Sequence, residues 1–477
     1  MTPEEFRTHA HELVDWMADY LADPGDRPVL SSVAPGEVRA RLPREAPEAG
    51  EPFGRIFEDF NGIVLPGMTQ WNHPGWFGYF PANNSPPSIL GEMLTATLGA
   101  QCMSWATSPA ATELEQVVME WLRQLLGLPA DFTGVIQDTS STATLVALLS
   151  ARERATGHAA GTEGLAAAGG PPLAVYASTE AHSSVPKGVK LAGFGLGRLR
   201  LIPVDAEYAM RPDALREAVR RDVAAGIRPA CVVATLGTTS STGVDPLRPI
   251  GAICREHGIW LHVDASYAGS AAILPECRWI LDGVEHADSF VLNPHKWLLT
   301  NFDCSAYYVR DTETLLRTFS TAPEYLRTTH DPEVVNFRDW GIQLGRRFRA
   351  LKLWFVLRSY GAQGLRDMLR RHVGLAAAFR AWLEADGEFE VLAPSPFGLV
   401  CFRHRPHGMP EGGELDRHNR ALLERVNSDG SVFLTHTVLS GRYTIRMAIG
   451  QWRTGQADVE RAWQLVRAGA RERAQSS

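Results

Sequence analysis

The chain has 477 residues, 45% of them apolar and 21% charged, an ordinary composition for a globular protein that buries a core without disulfide or metal staples. At roughly 150 residues per domain, that length suggests about three units. Lys+Arg 47 against Asp+Glu 54 leaves a net charge of −7 with no basic block, which disfavours nucleic acid and anionic membrane as partners.

The N-terminus, Met1 to Phe6, is acidic and lacks the basic-then-apolar layout of a signal peptide. A helix is expected there instead: Thr2 can cap it, Pro3 suits its first position and Glu5 completes a capping box. Phe6, Ala10, Leu13, Met17 and Leu21 then form an apolar stripe at helical spacing. A second helix is expected over 36–42, followed by a Pro/Glu-rich connector over 43–52. Residues 60–112 carry one formal charge, Glu92, and five prolines between 66 and 87 forbid a single long helix. Two readings stand for this segment: an ordinary buried core, or a stretch packed in an interface or lining a pocket, where solvated charges are unwelcome.

From about residue 113 helix and strand patterns alternate. Helices are expected over 114–126, with Gly127 as a stop, and over 143–155, 212–225 and 247–257. Short apolar strands are expected over 173–177, 231–236, 260–263, 289–292 and 306–309. Such alternation means an α/β fold, a mostly parallel sheet with helices on both faces. The Gly/Ala-rich stretch 156–172 reads as a surface excursion. A helix over 348–360 leads out of the large domain, and the remainder reads as a small α+β domain, with helices over 375–385, 418–428 and 457–470 and strands over 398–402 and 443–447. The six cysteines (102, 231, 254, 277, 304 and 401) form no Cys-x-x-Cys pair, which argues against a zinc site and fits a reducing compartment. With no apolar stretch of ~20 residues to span a membrane, the expectation is a soluble cytoplasmic enzyme without a metal.

Four segments carry chemistry. Ser289-Phe290-Val291-Leu292-Asn293-Pro294-His295-Lys296-Trp297 ends a strand in a turn that presents a lysine just after a histidine. An amine at a strand end of an open α/β sheet lies at the usual ligand crevice, where it could form a Schiff base with a carbonyl cofactor. In Trp260-Leu261-His262-Val263-Asp264-Ala265-Ser266-Tyr267 an acid follows an apolar strand. Beside such a lysine, Asp264 can hold the pyridine nitrogen of pyridoxal phosphate protonated, which makes the ring an electron sink. Gln137-Asp138-Thr139-Ser140-Ser141-Thr142 is a hydroxyl-rich turn opening a helix, a natural phosphate cradle. Ala181-His182-Ser183-Ser184 places an imidazole at another strand tip. Each has an ordinary explanation alone: a solvated lysine, an N-cap or metal-binding acid, a well-capped helix, a structural histidine. Their succession in one chain, each after a strand or at a helix start, is what points to a cofactor site. Gly193-Phe194-Gly195-Leu196-Gly197 only loosely matches a dinucleotide fingerprint, and its spacing is wrong.

The sequence at this point resembles the pyridoxal-phosphate-dependent amino acid decarboxylases of the aromatic L-amino acid decarboxylase type, from Phe6 to about Ala470. The resemblance rests on Trp71-x-x-Pro74, Tyr79-Phe80-Pro81, Ser104-Trp105-x-x-Ser108-Pro109, Thr112-Glu113-Leu114-Glu115 and Ala181-His182-Ser183-Ser184. It continues through Thr235-Leu236-Gly237-Thr238-Thr239, His262-Val263-Asp264-Ala265, Asn293-Pro294-His295-Lys296-Trp297, Asn301-Phe302-Asp303-Cys304-Ser305 and Gly345-Arg346-Arg347-Phe348-Arg349.

The resemblance implies a fold-type I enzyme and an obligate homodimer with a shared active site. Residues 1–80 would form an N-terminal helical dimerisation segment, 81–365 the large pyridoxal-phosphate-binding α/β domain, and 366–477 the small C-terminal α+β domain. Lys296 would carry the cofactor, Asp264 would pair with the pyridine nitrogen, His182 would stack on the ring, and Thr239 would sit close to it. Thr139, Ser140, Ser141 and Asn293 would hold the phosphate, with His295 neighbouring it. Ser266 is a departure, since the family usually has alanine beneath the ring. Trp71, Tyr79, Phe80, Pro81 and Ala82 would line the substrate pocket, together with Gln101 and Met103 from the partner subunit.

The implied activity is decarboxylation of an aromatic L-amino acid to its arylalkylamine and carbon dioxide. Among the pocket residues Trp71, Tyr79, Phe80 and Met103 are aromatic or apolar, where an acidic side chain would need a cation, and they suit large flat groups. A glycine at the position of Gly345 accompanies indole substrates in plant relatives, which favours tryptophan-like substrates; tyrosine, DOPA and phenylalanine stay open. Two rival readings are an aldehyde synthase, in which oxygen oxidises the decarboxylated intermediate to aldehyde, ammonia and peroxide, and a non-catalytic dimeric homologue. Tyr325 opens a polar stretch running to Asn336 that reads as a mobile lid. In the resembled family a tyrosine here is the proton donor to the substrate carbon.

Overall fold

The expected N-terminal capping box forms: Thr2 Oγ1 accepts from the Glu5 N–H at 3.2 Å, the Thr2 N–H donates to Glu5 Oε2 at 2.7 Å, and the helix runs Pro3–Ala22. The computed structural model describes residues 1–23, 27–321, 324–326 and 328–474, with the backbone alone for 473 and 474. Twelve strands form among the described residues. In chain order they are β1 (Trp76–Phe77), β2 (Thr133–Gln137), β3 (Leu173–Ser178), β4 (Leu199–Ile202), β5 (Arg228–Thr235), β6 (Trp260–Asp264), β7 (Ser289–Leu292), β8 (Ser305–Val309), β9 (Phe389–Val391), β10 (Leu399–His404), β11 (Phe433–Leu439) and β12 (Arg442–Ala448).

The chain divides into two compact units: Ala82–Arg380 with Val391–Cys401, and Met1–Pro81 with Ala381–Glu390 and Phe402–Ser477. The first is built on a seven-stranded sheet of order β2-β8-β7-β6-β5-β3-β4. Pairings from β4 through β7 are parallel, and β8 runs antiparallel to both β7 and β2. Every residue of β3, β6, β7 and β8 is buried, as near-continuous apolar runs require when helices cover both faces. The helices Ser140–Ala155, Pro212–Ala224 and Leu247–His257 return the chain between parallel strands. Gly127 ends the helix Pro109–Leu126 at φ 77, where a side chain would be strained. The mostly parallel α/β sheet is as expected, but β2 and β4 carry polar residues at exposed edges and gave no apolar run to read. The helices expected over 348–360 and 375–385 belong to one stretch, Arg349–Asp386, broken at Gly361.

In the second unit, β1 pairs in parallel with β11, which pairs antiparallel with β12. The five-stranded order is β1-β11-β12-β10-β9, and β9 and β10 carry the chain across the division between units. The helix Pro3–Ala22 has no fully buried residue along its 20 positions: of its apolar stripe, Phe6 is exposed and Ala10, Leu13, Met17 and Leu21 are half-buried. No helix among the described residues is long and apolar enough to cross a membrane.

Candidate active site

The register of the large sheet gathers the singled-out motifs at one edge. Asp264 pairs with Thr235 and with Val291, so the parallel strands β5, β6 and β7 finish together. Gln137, the last residue of β2, lies opposite Ser305, the first of β8, and Leu292 lies opposite Ala306, which brings the hydroxyl-rich turn to that edge. The connections are then stitched by backbone bonds. The Ala265 N–H donates to Val291 O (2.9 Å), and the Asn293 N–H donates to Ser266 O (3.0 Å). Ligand crevices of open α/β sheets form at this place.

At one end of the edge, Thr139 caps the helix Ser140–Ala155, its Oγ1 accepting from the Thr142 N–H. The next first-turn N–H groups and hydroxyls, Ser141 among them, are free of the helix ladder by position. Ser140 Oγ donates to Asn293 Oδ1 at 2.6 Å, and the buried Ser305 hydroxyl donates to the same oxygen. Ser266 Oγ lies 2.7 Å from Ser140 Oγ and also donates to Asp264 Oδ1, which accepts the Ser266 N–H at 3.0 Å as well. Hydroxyl turn and acid are therefore one connected network.

Asp264 is only 3% exposed. Burial lowers the Lys296 amine below the ordinary lysine range, and the Asp264 charge opposes that shift. The two groups are thus within electrostatic reach, and the amine is biased toward its nucleophilic neutral form. His182 Nδ1 accepts from the Ser184 N–H (3.1 Å) and lies 2.9 Å from its hydroxyl, which leaves the ring proton on Nε2. Desolvation lowers its pKa, against the pull of Asp264 and with the push of Lys296, so the imidazole is neutral. His295 is neutral too: desolvation and the Lys296 charge push it down to about 3, and Nδ1 accepts from the Cys304 N–H (3.0 Å). Thr239 stands exposed on a turn closed by Gly237 and Thr238 N–H bonds to Gly243 O.

The pocket candidates fall into separate groups. Trp71, Trp76, Tyr79 and Phe433 cluster as an aromatic patch in the second unit, where Phe80 carries the Arg446 guanidinium 5.4 Å over its ring. Pro81 ends that unit and Ala82 begins the other. Gln101 and Gly345 are neighbours within one chain. Gln101 Oε1 accepts from the Arg346 N–H (2.8 Å), and a Cβ at Gly345 would lie 3.2 Å from Gln101 Nε2. Met103 O accepts from the Arg338 N–H nearby in sequence to them (2.8 Å). Gln101 and Gly345 therefore belong to one local site. Tyr325 is 79% exposed in a short 3-10 turn, Glu324–Leu326, while Arg327 of the expected lid lies outside the described residues.

A model of the pyridoxal-dependent decarboxylase conserved domain matches residues 35–405. The chain belongs to that family. It is 46% identical to the aromatic-L-amino-acid decarboxylase of Bos taurus over 98% of this chain and 96% of the relative, and 45% identical to the phenylacetaldehyde synthase of Arabidopsis thaliana with the same coverages. Among solved structures it is similar to Oryza sativa TDC with PLP and tryptamine, at a TM-score of 0.95 and 39% identity over 99% of both chains. The fold is that of the fold-type I pyridoxal-phosphate enzymes, and this decarboxylase uses pyridoxal 5'-phosphate.

The donor set suits that cofactor. A buried carboxylate, a depressed amine and a hydroxyl-rich helix start match a pyridine nitrogen, an aldehyde and a phosphate. No group of acid, cysteine and histidine side chains that could hold a metal occurs among the described residues. Sequence reasoning missed several residues that hold this decarboxylase's site in place. Asn83 Nδ2 donates to Lys296 O (2.8 Å) and its N–H to His295 O (3.0 Å), clasping the lysine turn. Its only sequence signal was its place in the chargeless segment after Tyr79-Phe80-Pro81. Asp245, fully buried and pushed up to about 7 by desolvation, accepts the Thr235 and Met210 N–H groups at 2.7 Å and pins the end of β5. Arg346 pairs with Glu115 (2.7 Å) and donates to Ile136 O (2.8 Å), tying the Gly345 segment to β2.

Proposed function

We propose that this decarboxylase converts an aromatic L-amino acid, with tryptophan and 5-hydroxytryptophan ahead of tyrosine, DOPA and phenylalanine, into its arylalkylamine and carbon dioxide. The observation that carries the reading is the meeting of a depressed lysine amine with a buried acid at the ends of parallel strands. The aromatic character of Trp71, Tyr79 and Phe80, and the names of the two relatives, support the substrate class.

Bound pyridoxal phosphate supplies an electron sink for the pair left on the substrate's Cα when carbon dioxide departs. Each protein group then has one task. Lys296 offers the amine, whose pKa burial lowers toward the nucleophilic neutral form. Asp264 holds a proton at the pyridine nitrogen by a charge-assisted hydrogen bond. Thr139, Ser140, Ser141 and Asn293 bind the phosphate, with His295 beside them and Thr239 near the ring. His182 stacks on the ring, with its proton on Nε2. Tyr325 delivers a proton to Cα when its segment closes, and closure excludes oxygen and water. That delivery favours amine over aldehyde; the aldehyde-synthase reading stays as the alternative, since one relative carries that name.

The working form is a homodimer with residues 1–80 in the interface and Gln101 and Met103 serving the partner's site. The helix Pro86–Leu98 supports this, because Leu90, Leu94 and Leu98, spaced one turn apart, are 53%, 47% and 63% exposed. The compartment is the cytoplasm, in keeping with six cysteines that are all free and buried.

The test is a panel of tryptophan, 5-hydroxytryptophan, tyrosine, DOPA, phenylalanine and glutamate, scored for carbon dioxide, amine and peroxide. An aromatic substrate with the highest kcat/KM and amine as product is the expected outcome. Glutamate as best substrate, or peroxide in step with carbon dioxide, overturns the substrate class or the product respectively.

A further inference from the structure

We propose that Ser266 is a positioning residue that sets how firmly Asp264 holds its proton-sharing partner and links the acid to the phosphate turn; the proposal rests on the cofactor reading above. A serine hydroxyl has one hydrogen to donate, and Ser266 faces two acceptors. One is Asp264 Oδ1, which also accepts the Ser266 N–H (3.0 Å), and the other is Ser140 Oγ at 2.7 Å. Ser140 stands first in the helix Ser140–Ala155, whose opening turn is the candidate phosphate cradle. The backbone holds the arrangement rigidly, since Ser266 O accepts the Asn293 N–H (3.0 Å) and Asn293 Oδ1 accepts from Ser140 (2.6 Å). With Ser140 and Asn293 no more than 9% and 3% exposed, water has little access to replace the bond between them.

The direction of the effect follows from the chemistry of a shared proton. A hydroxyl donating to a carboxylate stabilises its charged form and makes it a weaker base. A weaker base across from a pyridine nitrogen leaves the proton on the nitrogen. Ser266 therefore strengthens the ring's positive charge whenever its hydrogen lies on Asp264, and relaxes it when the hydrogen turns to Ser140. An alanine at this position would lack the control altogether. What happens at the phosphate end is thus felt at the nitrogen end through one hydroxyl.

The experiment uses the holoenzyme loaded with pyridoxal phosphate labelled with 15N at the ring. In Ser266→Ala, which removes one oxygen and adds no bulk, the ring-nitrogen resonance moves from the pyridinium side toward neutral pyridine. Ser266→Thr, which keeps the hydroxyl, restores the wild-type position. A second readout is cofactor dissociation in Ser266→Ala, Ser140→Ala and the double variant. Coupled residues give a double-variant Kd that departs from the product of the single effects by about threefold or more. A ring resonance unchanged in Ser266→Ala, or independent effects of the two serines, overturns the proposal while leaving the cofactor reading intact. Failure of the wild-type protein to bind pyridoxal phosphate covalently would overturn both.

Discussion

Two parts of this decarboxylase are prepared to different degrees. The strand-end edge around Lys296 is finished within one chain: Asp264 is 3% exposed, Asn293 3%, His295 4%, and all are fixed by short hydrogen bonds. The segment bearing Tyr325 is the opposite, with the phenol 79% exposed on a one-turn 3-10 helix. The groups proposed to bind the cofactor are in place beforehand, whereas Tyr325, the proposed proton donor, stands exposed. The contrast teaches an order of events: capture needs rigidity, and proton delivery needs closure.

The largest effect should come from breaking the rigid side at its centre. Lys296→Ala should lose covalent cofactor capture and at least ~10³-fold of kcat/KM, read by visible absorbance and amine release. Breaking the other side gives a different signature. Tyr325→Phe should still capture cofactor and bind substrate, lose about 10²- to 10⁴-fold of amine formation, and release aldehyde and peroxide instead. Amine at the wild-type rate without peroxide would remove Tyr325 from the mechanism. Glu115→Ala should cost ~3 kcal/mol or more in denaturant unfolding, because it strands the buried Arg346 guanidinium beside Ile136 O.

A smaller effect sharpens the comparison through pH. Capture needs the neutral Lys296 amine, whose pKa burial lowers and the Asp264 charge raises. Capture by the apoenzyme should therefore rise with pH through a midpoint below that of a free lysine, and Asp264→Asn should move the midpoint lower still. Stopped-flow absorbance checks the sign. The smallest effect is expected at Gly345, where a serine side chain meets only the movable Gln101 amide. Gly345→Ser should leave stability within about 0.5 kcal/mol and alter substrate ranking alone, as surface substitutions do.

The strand tips of the site were largely legible in the sequence, and the long-range contacts that hold them were not. Apolar runs ending in Asp264 and Asn293-Pro294-His295-Lys296 marked strand tips directly, because buried parallel strands need such runs on both faces. β2 escaped notice since Thr133 and Gly134 at its start are not apolar, and its pairing with β8 depends on a contact distant in sequence. Asn83 and Asp245 escaped for a related reason. Their work is to accept or donate backbone bonds across the fold, a task that leaves no spacing pattern. The stretch 60–112 announced itself by lacking charge, but whether it was core or interface became a question of Leu90, Leu94 and Leu98 standing exposed on one helix face.

The attachment of the cofactor tests the account most directly. The chain has only four lysines, Lys187, Lys190, Lys296 and Lys352. Lys352 is the natural competitor, fully buried, pushed down to about 8 chiefly by desolvation, and 3.0 Å from Glu92. Reduction of the pyridoxal-phosphate-loaded protein with borohydride, followed by peptide mapping, locates the attached group. The account predicts one pyridoxyl group per chain, on Lys296. A label on Lys352, spread over the exposed lysines, or absent from the Lys296 peptide would contradict it.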